Sequence, residues 1–571
     1  MKTFRALPSK VFRLRYMPAI TLLVFLTPVG AGLISSVLPA FGYLPALGRS
    51  DFSGEAWGQL LHHPAIPASI FTTITTGFAA TIISLGLALF FVAAWYGSPS
   101  YKKTRKMLAP VLAIPHSALA IGLAFLIAPS GWIVRAITPW ATGWDRPPDV
   151  AIIHDPYGLT LILGLVIKET PYFLLMILAA LDQTQAEKRL TVARTLGYKP
   201  ISAWIKAVQP AIYKQIRLPI FAVLAFSLSV VDVSLILGPS APPPLSVLVL
   251  RWFNDPDLSY RFMASAGAML QLMIVIAAIS LWFVVEVGVS RIFRSRSSMG
   301  KRHFFETEIK LASKAGINFL VMLFSGSLLV LVTWSFTWRW RFPDFLPSVW
   351  SFHSWQNNLH NLAESAGTTI AVGLAGSIIA IILVVACLEN EKQRGKNAGS
   401  GALWLVYLPL MIPQVSFLFG VQVISIKANI DSSWVSVIWT HLLFVLPYVF
   451  LSLSDPYRSQ DNRFFNLALT LGSTPSRAFW RIRLPLLLRP LLFAFAVGFA
   501  VSVAQYLPTL FAGGGRFATV TTEAVNLSAS GNRRIVAVYA LLQAILPLIV
   551  FAAAMRIPNF VFRNRQALKG S

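Results

Sequence analysis

The sequence predicts an all-α integral membrane protein of about twelve transmembrane helices, arranged as two parallel repeats of six. Three observations predict this class. The composition is too apolar for a soluble domain, twelve segments are apolar and long enough to cross a membrane, and similar segments recur at a nearly constant spacing along the chain.

The composition indicates a membrane protein. Of the 571 residues, 56% are apolar and only 12% are charged, whereas soluble proteins average roughly 45–50% and 25%. A net charge of +26 would suggest a nucleic-acid partner for a soluble protein. The basic residues lie between apolar runs and lack interleaved aromatic residues arranged as a stacking surface, so we assign them to membrane topology and expect no nucleic-acid partner.

The apolar segments define the predicted helices. A helix needs about 20 mostly apolar residues to cross a hydrocarbon core of ~30 Å. The first segment follows a basic N-terminus as a secretory signal would, but it exceeds the usual ~7–15 apolar residues, so we predict a transmembrane helix. The twelve segments are 17–44, 70–96, 107–128, 158–181, 217–238, 262–290, 316–336, 367–388, 402–426, 433–453, 489–512 and 534–556.

Charge predicts the orientation of these helices. Both termini and the even-numbered connections lie on one side, which carries the basic clusters, while the opposite loops hold fewer basic residues and several aspartates. Lys and Arg are enriched on the cytoplasmic side, so we predict a multi-pass protein of the bacterial inner membrane with cytoplasmic termini. The clusters include Lys2, Arg5, Lys10, Arg13, Arg15, 101–106, 188–189, 291–302, 391–396, Arg477, Arg481, Arg483 and Arg489.

The chain repeats itself. TITTGFAATIIS from Thr73 resembles TIAVGLAGSIIA from Thr369, and IPHSALAIG at 114–122 resembles IPQVSFLFG at 412–420. Pro171 and Tyr172 match Pro447 and Tyr448, and Gln271 matches Gln543. Because each half holds an even number of spans, the halves are parallel and related by an axis along the membrane normal. We predict a first half at 1–290, a basic cytoplasmic linker at 291–315 and a second half at 316–571.

The strongest match lies in the cytoplasmic loop between the fourth and fifth spans of each half. TVARTLGYKPISAWIKAVQP at 191–210 aligns with NLALTLGSTPSRAFWRIRLP at 466–485. Gly197 and Gly472 suit the left-handed end of a short helix, and the prolines three residues later suit the first turn of a second helix. Ser473 or Thr474 can cap that helix in the second copy.

The second helix of each loop is expected to present an apolar and aromatic face beside Lys206 or Arg481, which indicates docking to a protein or to lipid. In the first copy this face contains Ala203, Trp204 and Val208, and in the second it contains Ala478, Phe479 and Ile482. A helix this short is unstable alone, so it needs such a contact.

These loops resemble the EAA loop of the permease subunits of ABC importers, in which Glu-Ala-Ala is followed by Gly and then by Ile-x-Leu-Pro. The second copy has the Gly, Ile, Leu and Pro at the family spacing, whereas the first has Ala207 and Gln209 at the Ile and Leu positions. Thr191 and Asn466 replace the leading glutamate. The resemblance implies that these loops dock an ATPase, and the candidate docking-loop residues are Ala193, Gly197, Pro200, Trp204, Pro210, Ala468, Gly472, Pro475, Phe479, Ile482 and Pro485.

The resemblance covers nearly the whole chain. The fused form is similar to the iron(III), thiamine and sulfate or molybdate permeases, and most similar to the Ynj-type inner-membrane permeases. It implies a type I importer fold, two copies of a separate ATPase subunit that grip the loops and use ATP and Mg²⁺, and an extracytoplasmic solute-binding protein. It also implies that this chain binds no cofactor and moves a small solute by alternating access.

Polar residues within the fifth and eleventh spans are candidates for the translocation path. Intramembrane polar side chains usually face a bundle interior or a water-filled route, and the resemblance implies a path along these helices. Asp232 is the sharpest candidate, although a helix contact is about as good an explanation for it. The candidates are Ser227, Ser229, Asp232, Ser502, Gln505, Tyr506 and Thr509.

Two other function classes were weighed. An enzyme is disfavoured because the sequence has no GxxxxGK[ST], HExxH or GxSxG motif, and we predict no catalytic or metal site. An ion-coupled secondary transporter remains the alternative, because many such carriers also have two parallel six-helix repeats. The twin Gly-to-Pro loops favour the ATP-driven importer.

Overall fold

The protein is almost entirely helical. A computed structural model describes residues 14–297, 306–395 and 399–563. The predicted basic residues Lys2, Arg5, Lys10 and Arg13, the central part of the linker at 298–305, and Lys396 lie outside the described residues. We call the described residues up to 297 the N-half and those from 306 the C-half.

Each half begins with one long helix and ends with another. The N-half contains α1 Met17–Ala40, α2 Glu55–His62, α3 Ile66–Trp95, α4 Pro99–Ala113, α5 His116–Ile127, α6 Trp132–Ile137, α7 Leu159–Gln183, α8 Ala186–Thr195, α9 Pro200–Ala203, α10 Gln209–Ser229, α11 Asp232–Leu237, α12 Leu245–Phe253 and α13 Tyr260–Ser297. The C-half contains α14 Glu306–Ser335, α15 His353–Gln356, α16 Leu359–Arg394, α17 Ser400–Met411, α18 Gln414–Lys427, α19 Trp434–Ser459, α20 Arg463–Thr470, α21 Pro475–Ala478, α22 Leu484–Leu486, α23 Leu488–Val503, α24 Leu507–Gly513, α25 Val520–Ser528 and α26 Arg533–Val561.

The predicted number of spans is confirmed. Among the described residues, ten helical segments are long and apolar enough to cross a membrane, and two bent pairs bring the number to twelve if each pair is one span. The ends differ from the prediction, because α13 and α14 continue through the described parts of the predicted linker. Arg, Lys and Glu are good helix formers, so these helices extend beyond their apolar segments.

Several spans predicted as single helices are broken. The break at Pro115 separates α4 from α5, and the repeat-matched break at Pro413 leaves α17 and α18 bent by 87°. Proline lacks a backbone N–H and disfavours the helical conformation of the preceding residue, so an uninterrupted helix at 107–128 or 402–426 was a wrong prediction. The fifth and eleventh spans also break, at 230–231 and 504–506.

One short hairpin departs from the all-α prediction. β1 Thr337–Arg339 pairs antiparallel with β2 Val349–Trp350 in the loop after α14. Trp340, which directly follows β1, is buried, and its ring is tilted against that of Trp334 with centroids 4.8 Å apart. It lies in one of the loops predicted to be extracytoplasmic.

Matching residues of the repeat form matching hydrogen bonds. The Thr73 hydroxyl accepts the backbone N–H of Leu245 at 2.9 Å, where α12 begins. The repeat-matched Thr369 hydroxyl accepts the N–H of Val520 at 2.9 Å, where α25 begins. In both halves, therefore, the second span holds the start of the helix that precedes the last span.

Each half packs its first helix against the third span of the other half. The C-half helix α18 lies against α1, where Gly420 contacts the backbone of Gly32. The N-half helix α5 lies against α14, and a Cβ added to Gly122 would lie 2.5 Å from the Ser327 carbonyl oxygen. Glycine allows this close approach of helices in a membrane. The two glycines end the matched segments at 114–122 and 412–420.

Candidate functional site

The two loops predicted to be cytoplasmic have the same backbone. α8 and α20 end at Gly197 and Gly472, whose φ angles are +82° and +85°. The N–H of the residue after each glycine donates to the carbonyl of Ala193 or Ala468, at 3.2 and 2.9 Å. This is the hydrogen bond of a Schellman-type helix end, as predicted from the glycines.

The second helix of each loop begins at the predicted proline and continues into a π-helical turn. α9 starts at Pro200 and α21 at Pro475, and in the second loop the Thr474 hydroxyl accepts the N–H of Arg477 at 3.3 Å, which confirms a cap at this position. A single π-helical turn follows each one, at Trp204–Val208 and Phe479–Arg483. Such a turn inserts an extra residue and rotates the side chains that follow.

The predicted apolar face of the first loop is wrong. Trp204 is only 1% exposed, and its ring packs on Tyr96 with centroids 5.2 Å apart. Ala203 and Val208 are also fully buried. The prediction assumed a regular helical period and an unattached helix, whereas the π-helical turn and the second span hold these side chains inside the N-half. They anchor the loop instead of forming its outer surface.

The second loop is anchored partly by charge. Ala468 and Ala478 are buried as their counterparts are, while Phe479 and Ile482 are half-buried. Arg483, which aligns with Val208 of the first loop, is buried, and its guanidinium lies 2.6 Å from Glu389 Oε1. The first loop has an apolar anchor at this position.

Two further residues complete this buried pair. The Tyr457 hydroxyl donates to Glu389 Oε2 at 2.5 Å, and the Arg483 guanidinium lies 3.9 Å from the centroid of the Phe465 ring. Hydrogen bonds from both sides satisfy the carboxylate, and a buried ion pair requires such compensation. The loop therefore meets the end of α16 through a fixed contact.

The exposed apolar residues of both loops lie one turn earlier, on α8 and α20. Val192 and Leu196 are 61% and 60% exposed, and the aligned Leu467 and Leu471 are 57% and 77% exposed. These four residues were missed from the sequence. The signal that could have found them is a pair of apolar residues four apart on a short polar helix, which places both on one face.

Two more features complete these surfaces. An open groove of about 450 Å³ lies beside Val192 and Leu196. Lys188, Arg189 and Lys206 line its rim, so the groove is apolar with a basic edge. On the second loop Trp480 is 63% exposed, next to the half-buried Phe479.

The predicted path residues lie around the two broken spans. Ser229 and Asp232 flank the break between α10 and α11. Gln505 and Tyr506 lie within the break between α23 and α24, and Ser502 lies just before it. Thr509 lies one turn further along α24. The break in each span therefore occurs within the cluster of polar residues.

Several of these polar groups are satisfied within the protein. His441 bridges the second break, with Nδ1 2.8 Å from Ser502 Oγ and Nε2 2.9 Å from Thr509 Oγ1. Ser229 donates to the carbonyl of Ala225 at 2.7 Å and Gln505 to that of Val501 at 3.0 Å. These five side chains therefore have hydrogen-bond partners close to the breaks. Ser227 is buried too.

Asp232 and Tyr506 are the two remaining candidates for the translocation path. Asp232 is half-buried at the start of α11 and forms no salt bridge with any residue that the structure describes. Tyr506 donates to Asn526 at 3.1 Å. α11, which begins with Asp232, packs against α5 of the N-half and against α25 of the C-half. Elements of both halves therefore adjoin the helix that carries this carboxylate.

The adjacent Lys168 and Glu169 of α7 contact different neighbours. The Lys168 ammonium donates to the carbonyls of Val111 and Leu112, at 2.9 and 3.2 Å, and to that of Ile114. It thereby satisfies carbonyls left unpaired where α4 ends before the proline. Glu169 lies 3.0 Å from the ring Nε2 of His116 instead.

The matched glutamines are interhelical contacts. Gln271 donates to the carbonyl of Leu228 at 3.0 Å, and Gln543 donates to Ser117 and Thr521 at 2.8 and 2.7 Å. Polar side chains join helices in this way inside membranes. In the part of the chain that the structure describes, no group of three or more His, Cys, Asp or Glu residues is arranged to hold a metal ion.

Comparison with known proteins identifies the family. The sequence model of "Binding-protein-dependent transport system inner membrane component" matches residues 310–558. The chain is 30% identical over 556 residues to the inner membrane ABC transporter permease protein YnjC of Escherichia coli (strain K12), covering 97% of this chain and 99% of that protein.

More distant relatives are transport permeases as well. The thiamine transport system permease protein ThiP of Haemophilus influenzae is 21% identical over 469 residues, 77% of this chain and 79% of that protein. The spermidine/putrescine transport system permease protein PotC of the same species is 23% identical over 207 residues, 36% of this chain and 79% of that protein. The chain therefore belongs to the binding-protein-dependent permeases, the inner-membrane components of ABC transport systems.

Proposed function

We propose that this permease works with two copies of a separate ATPase subunit, one on each cytoplasmic loop, and that ATP and Mg²⁺ bind to those subunits and not to this chain. One observation carries the proposal. Two loops with the same helix, left-handed glycine, proline and π-helical turn expose apolar residues at the same aligned positions. Two equivalent surfaces suit two copies of one partner.

The docking surface consists of the exposed apolar residues and their basic rim. Val192 and Leu196 fill a pocket of the first ATPase, and Leu467, Leu471 and Trp480 fill that of the second. Exposed apolar groups that become buried at an interface dominate its binding energy. The aligned glycines and prolines of the two loops determine the shape of this surface; they are Gly197, Pro200, Gly472 and Pro475. Four buried residues attach the loops to the membrane helices: Ala193, Trp204, Ala468 and Ala478.

On the opposite side, a solute-loaded binding protein docks on the loops at 129–157, 239–261, 337–366 and 513–533. The loop at 129–157 is tied to the hairpin loop, because Arg135 donates to the carbonyls of Arg341 and Asp344, at 2.6 and 2.9 Å. Trp140 and Tyr157 remain exposed on it. Such a braced loop with exposed aromatic residues supports a role as a docking platform.

The solute passes between the two broken spans. Asp232 and Tyr506 face the route, and Ser229, Ser502, Gln505 and Thr509 keep the breaks in shape beside it. Closure of the ATPases draws the two loops together, and the halves alternate between inward-facing and outward-facing arrangements. With the two loops on the cytoplasmic side, both termini are cytoplasmic.

Tagged protein purified from native membranes tests the proposal. We expect an ABC ATPase and a solute-binding protein to co-purify, and the small molecule bound to the latter identifies the solute. In proteoliposomes, uptake of that molecule should require all three components together with ATP and Mg²⁺. Accumulation by this chain alone on an ion gradient, without nucleotide, would contradict the proposal and favour a secondary transporter.

A further inference from the structure

One contact joins the first docking loop to the other half of the protein. Glu306 begins α14 in the C-half, and its carboxylate accepts hydrogen bonds from backbone N–H groups of the loop helix α9. The N–H of Ile201 lies 3.2 and 3.3 Å from its two oxygens, and the N–H of Ser202 lies 3.3 Å from one of them. More than a hundred residues separate the carboxylate from the helix it caps.

The first loop needs this carboxylate because it cannot cap itself. The first N–H groups of a helix have no partner within it, and a carboxylate at that end also interacts favourably with the helix dipole. Lys199 occupies the capping position of α9 and provides no side-chain hydrogen bond. In the second loop Thr474, at the aligned position, caps α21 from within the loop.

α14 is attached to the N-half at several further points. The Lys314 ammonium lies 5.2 Å from the centroid of the Trp95 ring at the end of α3. Ile317 is buried in the apolar cluster that also contains Trp204 of the loop. The start of α14 therefore adjoins the first docking loop through a cap and apolar packing, and it contacts the end of α3 through a cation–π contact.

The same helix reaches the translocation path. Further along α14, the backbone at Ser327 lies against Gly122 of α5. α5 packs in turn against α11, which begins with Asp232. Glu306, α14 and α5 thus form a continuous connection between the loop and the residues around the first break.

We propose that Glu306 is a positioning residue that couples the first docking loop to α14, so that the loop and the first helix of the C-half move as one body. The inference rests on the proposed docking of an ATPase to this loop. The second loop has its own cap and its own ionic anchor at Arg483, so the two loops are coupled to the membrane helices by different contacts.

Distance measurements between spin labels test this inference directly. The native Cys387 is replaced by serine, and labels are attached at the exposed positions Thr195 on the loop and Lys310 on α14. In the ATPase complex we expect one narrow distance, unchanged when ATP, Mg²⁺ and vanadate are added. In Glu306→Ala we expect the narrow distance to be replaced by a broad distribution. Glu308 is an exposed glutamate on the same helix, and Glu308→Ala should give the distance of the unsubstituted protein.

A second variant separates coupling from simple capping. Lys199→Thr copies Thr474 and should cap α9 locally. Added to Glu306→Ala, it restores the helix but not the link to α14, so the distance should remain broad. Full recovery of the narrow distance in the double variant, or an unchanged distance in Glu306→Ala, would overturn the inference. Glu306→Gln retains an acceptor oxygen and serves as the readout if the alanine variant fails to fold.

The outcome is separable from that of the proposed function. Leu196→Glu tests docking, with co-purified ATPase as its readout, and does not involve Glu306. If ATPase binding survives Leu196→Glu while Glu306→Ala broadens the distance, the docking surface is wrong and the coupling contact stands. If ATPase binding is lost in Leu196→Glu and the distance is unaffected in Glu306→Ala, only the coupling inference fails.

Discussion

Gly420 of α18 packs directly against the backbone of Gly32 of α1, so a helix of the C-half and a helix of the N-half meet without an intervening side chain. The repeat-matched Gly122 packs in the same way against Ser327 of α14. Each half therefore packs against the first helix of the other. The two halves cannot separate without losing both contacts.

We expect Gly32→Leu to destabilise the protein by about 1–3 kcal/mol, the usual cost of overpacking. A Cβ at this position would lie 2.6 Å from the Phe417 carbonyl oxygen, which belongs to a helix backbone and cannot move aside cheaply. The thermal unfolding temperature in detergent measures the effect. Gly30→Leu is the matched control, because a Cβ there meets nothing within 4 Å; equal unfolding temperatures for the two variants would show that the contact is looser than described.

Arg483→Ala should destabilise the second loop by roughly 3–5 kcal/mol, because it leaves Glu389 buried without its partner. Replacing both members, as Arg483→Met with Glu389→Leu, should cost less, since no unpaired charge remains. Thermal unfolding and limited proteolysis of the loop report the difference. Arg477→Ala, on the exposed side of the same loop, is the control, and a double variant less stable than Arg483→Ala would refute the explanation.

Leu196→Glu and Leu471→Glu should each weaken ATPase binding about tenfold or more, since burying one leucine contributes roughly 1.5–3 kcal/mol. The amount of ATPase retained on tagged, detergent-solubilised protein measures this loss. Thr195→Glu introduces the same charge at an exposed neighbouring position and should retain the ATPase. Loss of binding in all three variants would point to general electrostatic repulsion and not to the apolar surface.

Gly472→Val should reduce ATPase stimulation without preventing membrane insertion. A β-branched residue at φ +85° is strained by about 1–3 kcal/mol, although a Cβ at this position meets nothing within 4 Å. Strain and not crowding is thus the cause, so Gly472→Asn, which tolerates this conformation better, should behave nearly as the unsubstituted protein. Equal defects in the two variants would argue for a contact of the glycine with the partner.

Asp232→Asn should lower solute uptake while leaving the assembled complex intact. The carboxylate is half-buried at the start of α11, and the amide keeps its shape but removes its charge. Uptake of the molecule found on the binding protein, normalised to the amount of complex, is the measurement. Asp51→Asn, at an exposed position between α1 and α2, is the control, and unchanged uptake kinetics in Asp232→Asn would remove this residue from the path.

The hydropathy and charge of the sequence, together with its glycines and prolines, determined much of the helix pattern of this protein. Twelve apolar segments specify twelve crossings because an uncompensated backbone cannot cross lipid except as a helix. Gly197 and Gly472 specify the ends of α8 and α20 because a left-handed residue costs glycine little. The matched pairs Thr73 with Thr369 and Gln271 with Gln543 indicated a repeat before their hydrogen bonds were known.

Only the tertiary structure decided which side chains are available at each site. Trp204 is fully buried whereas the aligned Phe479 is half-buried, because neighbouring helices cover the first loop more completely than the second. The cap from Glu306 and the contact of Gly32 with Gly420 join residues far apart in the chain. Local patterns such as hydropathy and turn residues report the conformation of a segment, but the partner of a helix face depends on how all the segments pack together.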